Sequence, residues 1–337
     1  MDETRIRELD KSNMLQMLRA FPQQFTKALE WFPKDMNLPK ASGAILCGMG
    51  GSSLPGDIVN ALWIDQVRLE ISREYDLPVW IKDDTLVFLC SFSGNTEETI
   101  AAYGKARERG LPVCVITKGG KLATMAKDAG DPLLIIDEQM PGFQPRFGSG
   151  YFYAYILLAM QKAGLIDADV EAHLKELSRI LGDVNPEEEA RELAGRLEGR
   201  VPMVYASGAY TDSVGRIWKI KFNENTKIPA FYNSVPELNH NEMVGFTNLL
   251  EAPLLVLMLR DSDEHPRVAR RFEAMKGVFN EYKVQWLETW FAGDSMAEKL
   301  FRMLYLGDFT TYFLALKYGY DPAPVVIVES FKAAITD

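Results

Sequence analysis

The sequence predicts an α/β protein of two similar domains, each a parallel sheet covered by helices. Three observations carry this. Apolar segments short enough to be strands alternate with amphipathic segments long enough to be helices. The strand segments are apolar throughout rather than alternating, as expected of a parallel sheet buried on both faces. The pattern then restarts, with "AILCGMGGSSLPGD" in the first half answered by "MVYASGAYTDSVGR" in the second. A chain of 337 residues suits two domains.

The elements follow in order. Residues 1–40 read as a helical segment broken near Pro22. "GAILCGMG" is a strand running into a glycine turn, and "PGDIVNALWI" opens a helix. "VRLEISREY", "TLVFLCSFSG", "LPVCVITKGG" and "PLLIIDE" are four further strands, with the helix "TEETIAAYGKARERG" after the second of them. "YFYAYILLAMQKAGLI" is a buried helix, followed by two more polar amphipathic helices up to about residue 200. The second half reads strand, helix, strand, strand, helix, strand. A long apolar helix from Asp294 to Lys317 and a short terminal helix complete it. The expected division is a helical segment 1–40, a first domain 41–165, a helical connection 166–200 and a second domain 201–337.

Composition excludes several classes. The net charge of −10 argues against nucleic acid as a partner, because phosphate backbones select basic faces. No apolar run reaches the about eighteen residues of a membrane helix, and the N-terminus is charged with no apolar signal core, so the expectation is a cytoplasmic protein. Cys47, Cys90 and Cys114 each lie in a strand segment, which favours reduced, packed thiols. His173, His240 and His265 are far apart and make no metal-ligand pattern; neither metal nor cofactor is expected.

Two loops of the first half invite chemistry. "GMGGSSLPGD" carries Gly51, Ser52 and Ser53 into a helix, and "SFSGNTEET" carries Ser91, Ser93 and Thr96 into another. Ligands of open parallel sheets bind at the carboxyl ends of strands. Free backbone N–H groups, helix dipoles and hydroxyls there favour an anion such as phosphate. The competing reading is that these hydroxyls only cap helices. A dinucleotide fingerprint is poorly matched: Gly48 and Gly50 are followed by Ser53 at the third glycine position, although Glu70 falls near the ribose-binding place. Neither loop has the G-K-[ST] ending of a Walker motif.

The second half offers acid–base groups. "KFNENTK" sets Glu224 between two asparagines, and "PELNHNEM" sets His240 between two more, with Glu237 and Glu242 as rival carboxylates. A positioned carboxylate can take a proton from carbon beside a carbonyl, and histidine moves protons near neutrality. Alone, each has an ordinary structural reading, as does Arg146 in "QPRFGSGY".

Together, "GMGGSSLPGD", "SFSGNTEET", "PRFGSGY", "FNENTK", "NHNE" and the terminal "DPAPV…ESFK" occur in the order seen in bifunctional phosphoglucose/phosphomannose isomerases, and from about residue 41 onward the chain resembles that family. The resemblance implies two SIS (sugar isomerase) domains, each a flavodoxin-like three-layer sandwich, and a homodimer. It implies metal-independent conversion of glucose 6-phosphate, and of mannose 6-phosphate, to fructose 6-phosphate through a cis-enediol, as in glycolysis and gluconeogenesis. By matching motif, Gly51, Ser52, Ser91, Ser93 and Thr96 would hold the phosphate. Glu224 would move the proton between C1 and C2, and Arg146 would stabilise the intermediate's charge. His240, reaching the partner's site, and Lys332 would open the sugar ring. Two positions depart from the family: Ser53 stands where a smaller residue is expected, and Ala323 where a threonine is expected, which bears on the mannose reaction.

Two alternatives keep the same fold. A sugar-phosphate-binding regulatory protein would dispense with Glu224 and His240, but would bring a DNA-binding or partner module, and no basic helix-turn-helix segment is evident. An aminosugar-phosphate enzyme that makes its amine from glutamine would need an ammonia source, and the chain has no N-terminal cysteine.

Overall fold

The structure is a computed structural model and describes residues 3–249 and 251–335. Residues up to Leu18 together with those from Val184 onward form one compact unit, and Arg19–Asp183 form the other.

The first forty residues hold three helices, α1 (Glu3–Leu9), α2 (Met14–Arg19) and α3 (Gln23–Trp31). The sequence predicts one break, at Pro22. A second lies before α2, where Asn13 takes a left-handed conformation (φ 55°) and the Asp10 carboxylate accepts from Met14 N–H (2.6 Å).

The Arg19–Asp183 unit is built on β1 (Gly43–Gly48), α4 (Leu54–Trp63), β2 (Leu69–Ser72), β3 (Thr85–Cys90), α5 (Glu97–Glu108), β4 (Val113–Thr117), α6 (Gly120–Ala129), β5 (Leu133–Ile135), α7 (Ser149–Lys162) and α8 (Val170–Gly182). Its five strands are all parallel, in the order β2-β1-β3-β4-β5. Ile45, Cys47, Val87, Leu89, Val113 and Val115 face α5 and α6 in one apolar core. α4 and α7 cover the other face, which makes three layers. Sequence reasoning omits α6, whose segment "GKLATMAKDA" starts on the second of two glycines and has only three buried positions. α7 is buried along most of its length because α3, α4 and α8 all pack on it. The three cysteines are free and buried, and burial pushes the Cys47 and Cys114 thiols up to about 12, so neither is a nucleophile near neutral pH.

The second unit continues with α9 (Glu187–Leu197), β6 (Val201–Ser207), α10 (Gly208–Thr226), β7 (Phe231–Val235), β8 (Leu254–Asp261), α11 (Pro266–Glu281), β9 (Gln285–Phe291), α12 (Met296–Lys317) and α13 (Val326–Ile335). Its four parallel strands run β7-β6-β8-β9. α11 closes one face over Tyr205, Val256 and Met258. α10 lies on the other, where Gly215 meets Ala206 and Tyr232 so closely that a Cβ would lie 2.8 Å from the Tyr232 ring. α12 packs over α10 and α9, with Lys221 and Asp308 forming a buried ion pair between α10 and α12 (2.5 Å).

Candidate functional site

β1 and β3 are neighbours in register, Gly48 opposite Cys90, so the two hydroxyl-bearing loops leave adjacent strands at their carboxyl ends. The chain crosses from β1 to β2 on one side and from β3 to β4 on the other. That reversal is the switch point where open α/β sheets bind ligands.

The geometry bears directly on the capping reading. Ser53 and Thr96 occupy the N-cap positions of α4 and α5, yet neither side chain caps its helix. Ser52, which is buried, instead reaches across to accept from Phe92 N–H (3.1 Å), tying the first loop to the second. Ser91 is fully buried; its Oγ accepts from Gly94 N–H (3.1 Å) and pairs with Thr96 Oγ1 (2.8 Å). Ser93 is exposed at the tip and accepts from Asn95 N–H (3.2 Å). The second loop is further fixed on the turn after β4. Gly94 has φ +68°, and a Cβ there would lie 1.7 Å from Gly119 O, so only glycine fits.

Arg146 sits in a 3-10 turn, Pro145–Phe147, between β5 and α7. It is 2 % exposed, and its guanidinium lies over the Phe147 ring (4.6 Å). Its backbone comes against the first loop: a Cβ on Gly51 would fall 2.5 Å from Arg146 N. Phe143, which follows β5, stacks on Phe92 of the second loop (centroids 5.5 Å apart). The structure thus brings Gly51, Ser52, Ser91, Ser93, Thr96 and Arg146 to one end of one sheet.

Ser53 belongs to a different contact set. Its hydroxyl donates to Gly50 O (3.0 Å) and accepts from Arg73 Nε (3.1 Å), while Arg73 Nη2 pairs with Asp57 (2.9 Å). Arg73 balances the one carboxylate in the first turn of α4; sequence reasoning misses it because it lies 20 residues from Ser53 with no motif between.

In the second unit Glu224 is half-buried in the last turn of α10. The asparagines beside it are structural: Asn225 donates to Thr311 (2.9 Å) and Asn223 to Ile228 O (3.0 Å). Lys227, also missed, ends the helix in a left-handed conformation. Its ammonium donates to Glu224 O, Pro322 O (2.9 Å) and Pro324 O (2.5 Å), holding the "DPAPV" segment against the end of α10. Ala323 is buried there. Lys332 lies on α13 and is exposed.

His240 closes a 3-10 turn, Glu237–His240, that follows the carboxyl end of β7. Leu238 anchors this turn in the core. The rival carboxylates have other partners. Glu242 accepts from Tyr205 OH (2.5 Å) and from Asn233, and Glu237 accepts from Asn241 (2.9 Å). Burial and the Glu242 carboxylate push the Tyr205 hydroxyl far above its usual range, so it stays a donor. His240 itself is exposed. α10 starts at the carboxyl end of β6 and runs about 24 Å before Glu224. Within this unit, Glu224 and His240 therefore lie toward opposite ends of the sheet.

Comparison with known proteins agrees with this architecture. Residues 186–335 match the bacterial phospho-glucose isomerase C-terminal SIS domain, and residues 75–140 match the SIS domain. The C-terminal domain of glucosamine-fructose-6-phosphate aminotransferase from Francisella tularensis superposes with a TM-score of 0.70 at 15% identity, over 92% of this chain and 98% of that one. The chain is thus a protein of two SIS domains. The bifunctional phosphoglucose/phosphomannose isomerase of Caldicellulosiruptor bescii is 31% identical over 96% of this chain and 99% of its own length. This chain belongs to the bifunctional phosphoglucose/phosphomannose isomerase family and is an isomerase. The likeness extends into the first forty residues, beyond the residue 41 expected from motifs. A D-glucosamine-6-phosphate 4-epimerase from Sulfolobus acidocaldarius is 34% identical over 58% of this chain and 61% of its own.

Proposed function

We propose that the protein interconverts glucose 6-phosphate and mannose 6-phosphate with fructose 6-phosphate through a cis-enediol, without a metal. The observation that carries this is the pair of serine loops on adjacent strands, whose hydroxyls bond between and within the loops rather than capping helices. Such a cradle suits a phosphate, the non-reacting end of a hexose phosphate, and leaves binding energy to position C1 and C2. Gly51, Ser52, Ser91, Ser93 and Thr96 hold that phosphate. Glu224 shuttles the proton between C1 and C2. Arg146 offsets the charge of the enediolate, and His240 and Lys332 assist ring opening.

The protein acts as a homodimer in this reading, with His240 serving the partner's site. Two observations support it: His240 is exposed at the end of its sheet away from Glu224, and α13 exposes Val326, Ile327 and Phe331. Mixing Glu224→Gln with His240→Ala subunits should then restore about a quarter of the sites, since half the dimers are mixed and each has one intact site. Mixtures no more active than their parts would place both residues in one subunit's site.

The activity is tested with fructose 6-phosphate in EDTA, following glucose 6-phosphate and mannose 6-phosphate separately by proton NMR. Both products are expected. Glucose 6-phosphate alone would tie Ala323 to a narrower enzyme, and loss of activity in EDTA would end the metal-free reading. The similarity to an aminosugar-phosphate epimerase supports a second reading, in which glucosamine 6-phosphate is the substrate; conversion of it in preference to fructose 6-phosphate would favour that reading.

A further inference from the structure

The Arg146 turn is held from behind by a side chain of the N-terminal helical segment. Gln24, in the first turn of α3, is 1 % exposed. Its Nε2 donates to Phe147 O (2.6 Å), and its Oε1 accepts from Gly150 N–H (3.0 Å). These partners lie immediately after Arg146 and at the start of α7. A backbone carbonyl can only accept and a backbone N–H can only donate, so the two bonds fix which end of the amide faces which. Gly150 packs so tightly on Gln24 that a Cβ there would lie 2.9 Å from both Gln24 Cβ and Oε1. The same helix adds Trp31, stacked on Tyr151 (5.2 Å, 24°). The opposite side of the turn is closed by Gly51 of the phosphate loop. Arg146 therefore stands on a three-residue turn gripped between the phosphate loop and α3, and its guanidinium direction follows that turn.

We infer that Gln24 is a positioning residue for Arg146, and that α3 is part of the catalytic apparatus rather than only packing. The inference rests on the proposed role of Arg146. A buried amide bonded to backbone on both sides transmits any shift of α3 to the turn. Misplacing a charged group by a fraction of an ångström weakens transition-state stabilisation more than ground-state binding, so the loss belongs in kcat.

The test is a double-mutant cycle in the full-length protein with fructose 6-phosphate. Arg146→Met should lower kcat about 100-fold. Gln24→Met should lower kcat about tenfold and change KM less than threefold, and the double variant should be no slower than Arg146→Met alone, as expected when one residue acts through the other. Gln24→Glu keeps the acceptor for Gly150 N–H but presents oxygen to Phe147 O; it gives the same kcat-selective loss if Gln24→Met does not fold. A lowered Tm with unchanged kcat, or losses that multiply in the double variant, would overturn the inference while leaving Arg146 in place. Wild-type kcat in Arg146→Met would remove the underlying reading, and the inference with it.

Discussion

The two α/β regions begin from the same strand, turn and helix and put it to different uses. After β1, side chains of the turn bond outward: Ser52 to the neighbouring loop and Ser53 to Arg73. After β6, Ser207 N–H donates to Thr211 Oγ1 (3.0 Å) in the first turn of α10, while Asp212 accepts from Tyr232 OH on β7 and Tyr210 packs on Phe291 of β9. The first region thus carries its polar groups at the carboxyl end of the sheet. The second carries Glu224 at the far end of the helix, fixed there by Asn225 and by the Lys227 clamp. A repeated scaffold thus carries different polar groups: hydroxyls tied between two loops in one region, an aromatic-backed carboxylate in the other.

Glu224→Gln should break this division of labour most severely. It keeps shape and both neighbouring asparagines but loses the proposed base, so kcat should fall about 1,000-fold with KM within threefold. Lys227→Met should cost less, about tenfold in kcat. Its signature is local: faster hydrogen exchange around residues 321–335, with the two serine loops of the first region unchanged. Equal exchange would mean that the clamp does not hold the tail.

A further effect belongs to the first region and concerns stability rather than turnover. His173 Nε2 pairs with Tyr153 OH (2.9 Å), which also accepts from Trp63 Nε1 (3.0 Å). The Tyr153 hydroxyl therefore donates to the imidazole, and burial lowers the His173 pKa to about 4. Between about 6.5 and about 4 the unfolded chain binds a proton that the folded one does not, so stability is lost as pH falls through that window. The full shift corresponds to about 3 kcal/mol, and partial exposure of the ring brings the expected loss to about 2 kcal/mol. Denaturant titrations at several pH values should show it, and His173→Gln should flatten it.

Much of this was legible in the sequence where signals are local. Apolar strands running into glycine and serine turns located Ser52, Ser91 and Thr96, because strand, turn and helix start lie within about ten residues. The residues that escaped act over distance. Gln24 bonds backbone 123 and 126 residues away, and Lys227 bonds carbonyls 95 and 97 residues away. Such bonds leave no periodicity or spacing to read. Glu242 could not be separated from Glu224 by sequence, since its partner Tyr205 sits 37 residues away on β6.

The central claim, that Glu224 carries a proton between C1 and C2, is tested most directly in deuterated water. Fructose 6-phosphate incubated with the wild-type protein should acquire deuterium at C1, and Glu224→Gln should slow this at least 100-fold while still binding the sugar. Undiminished exchange in the variant would contradict the account.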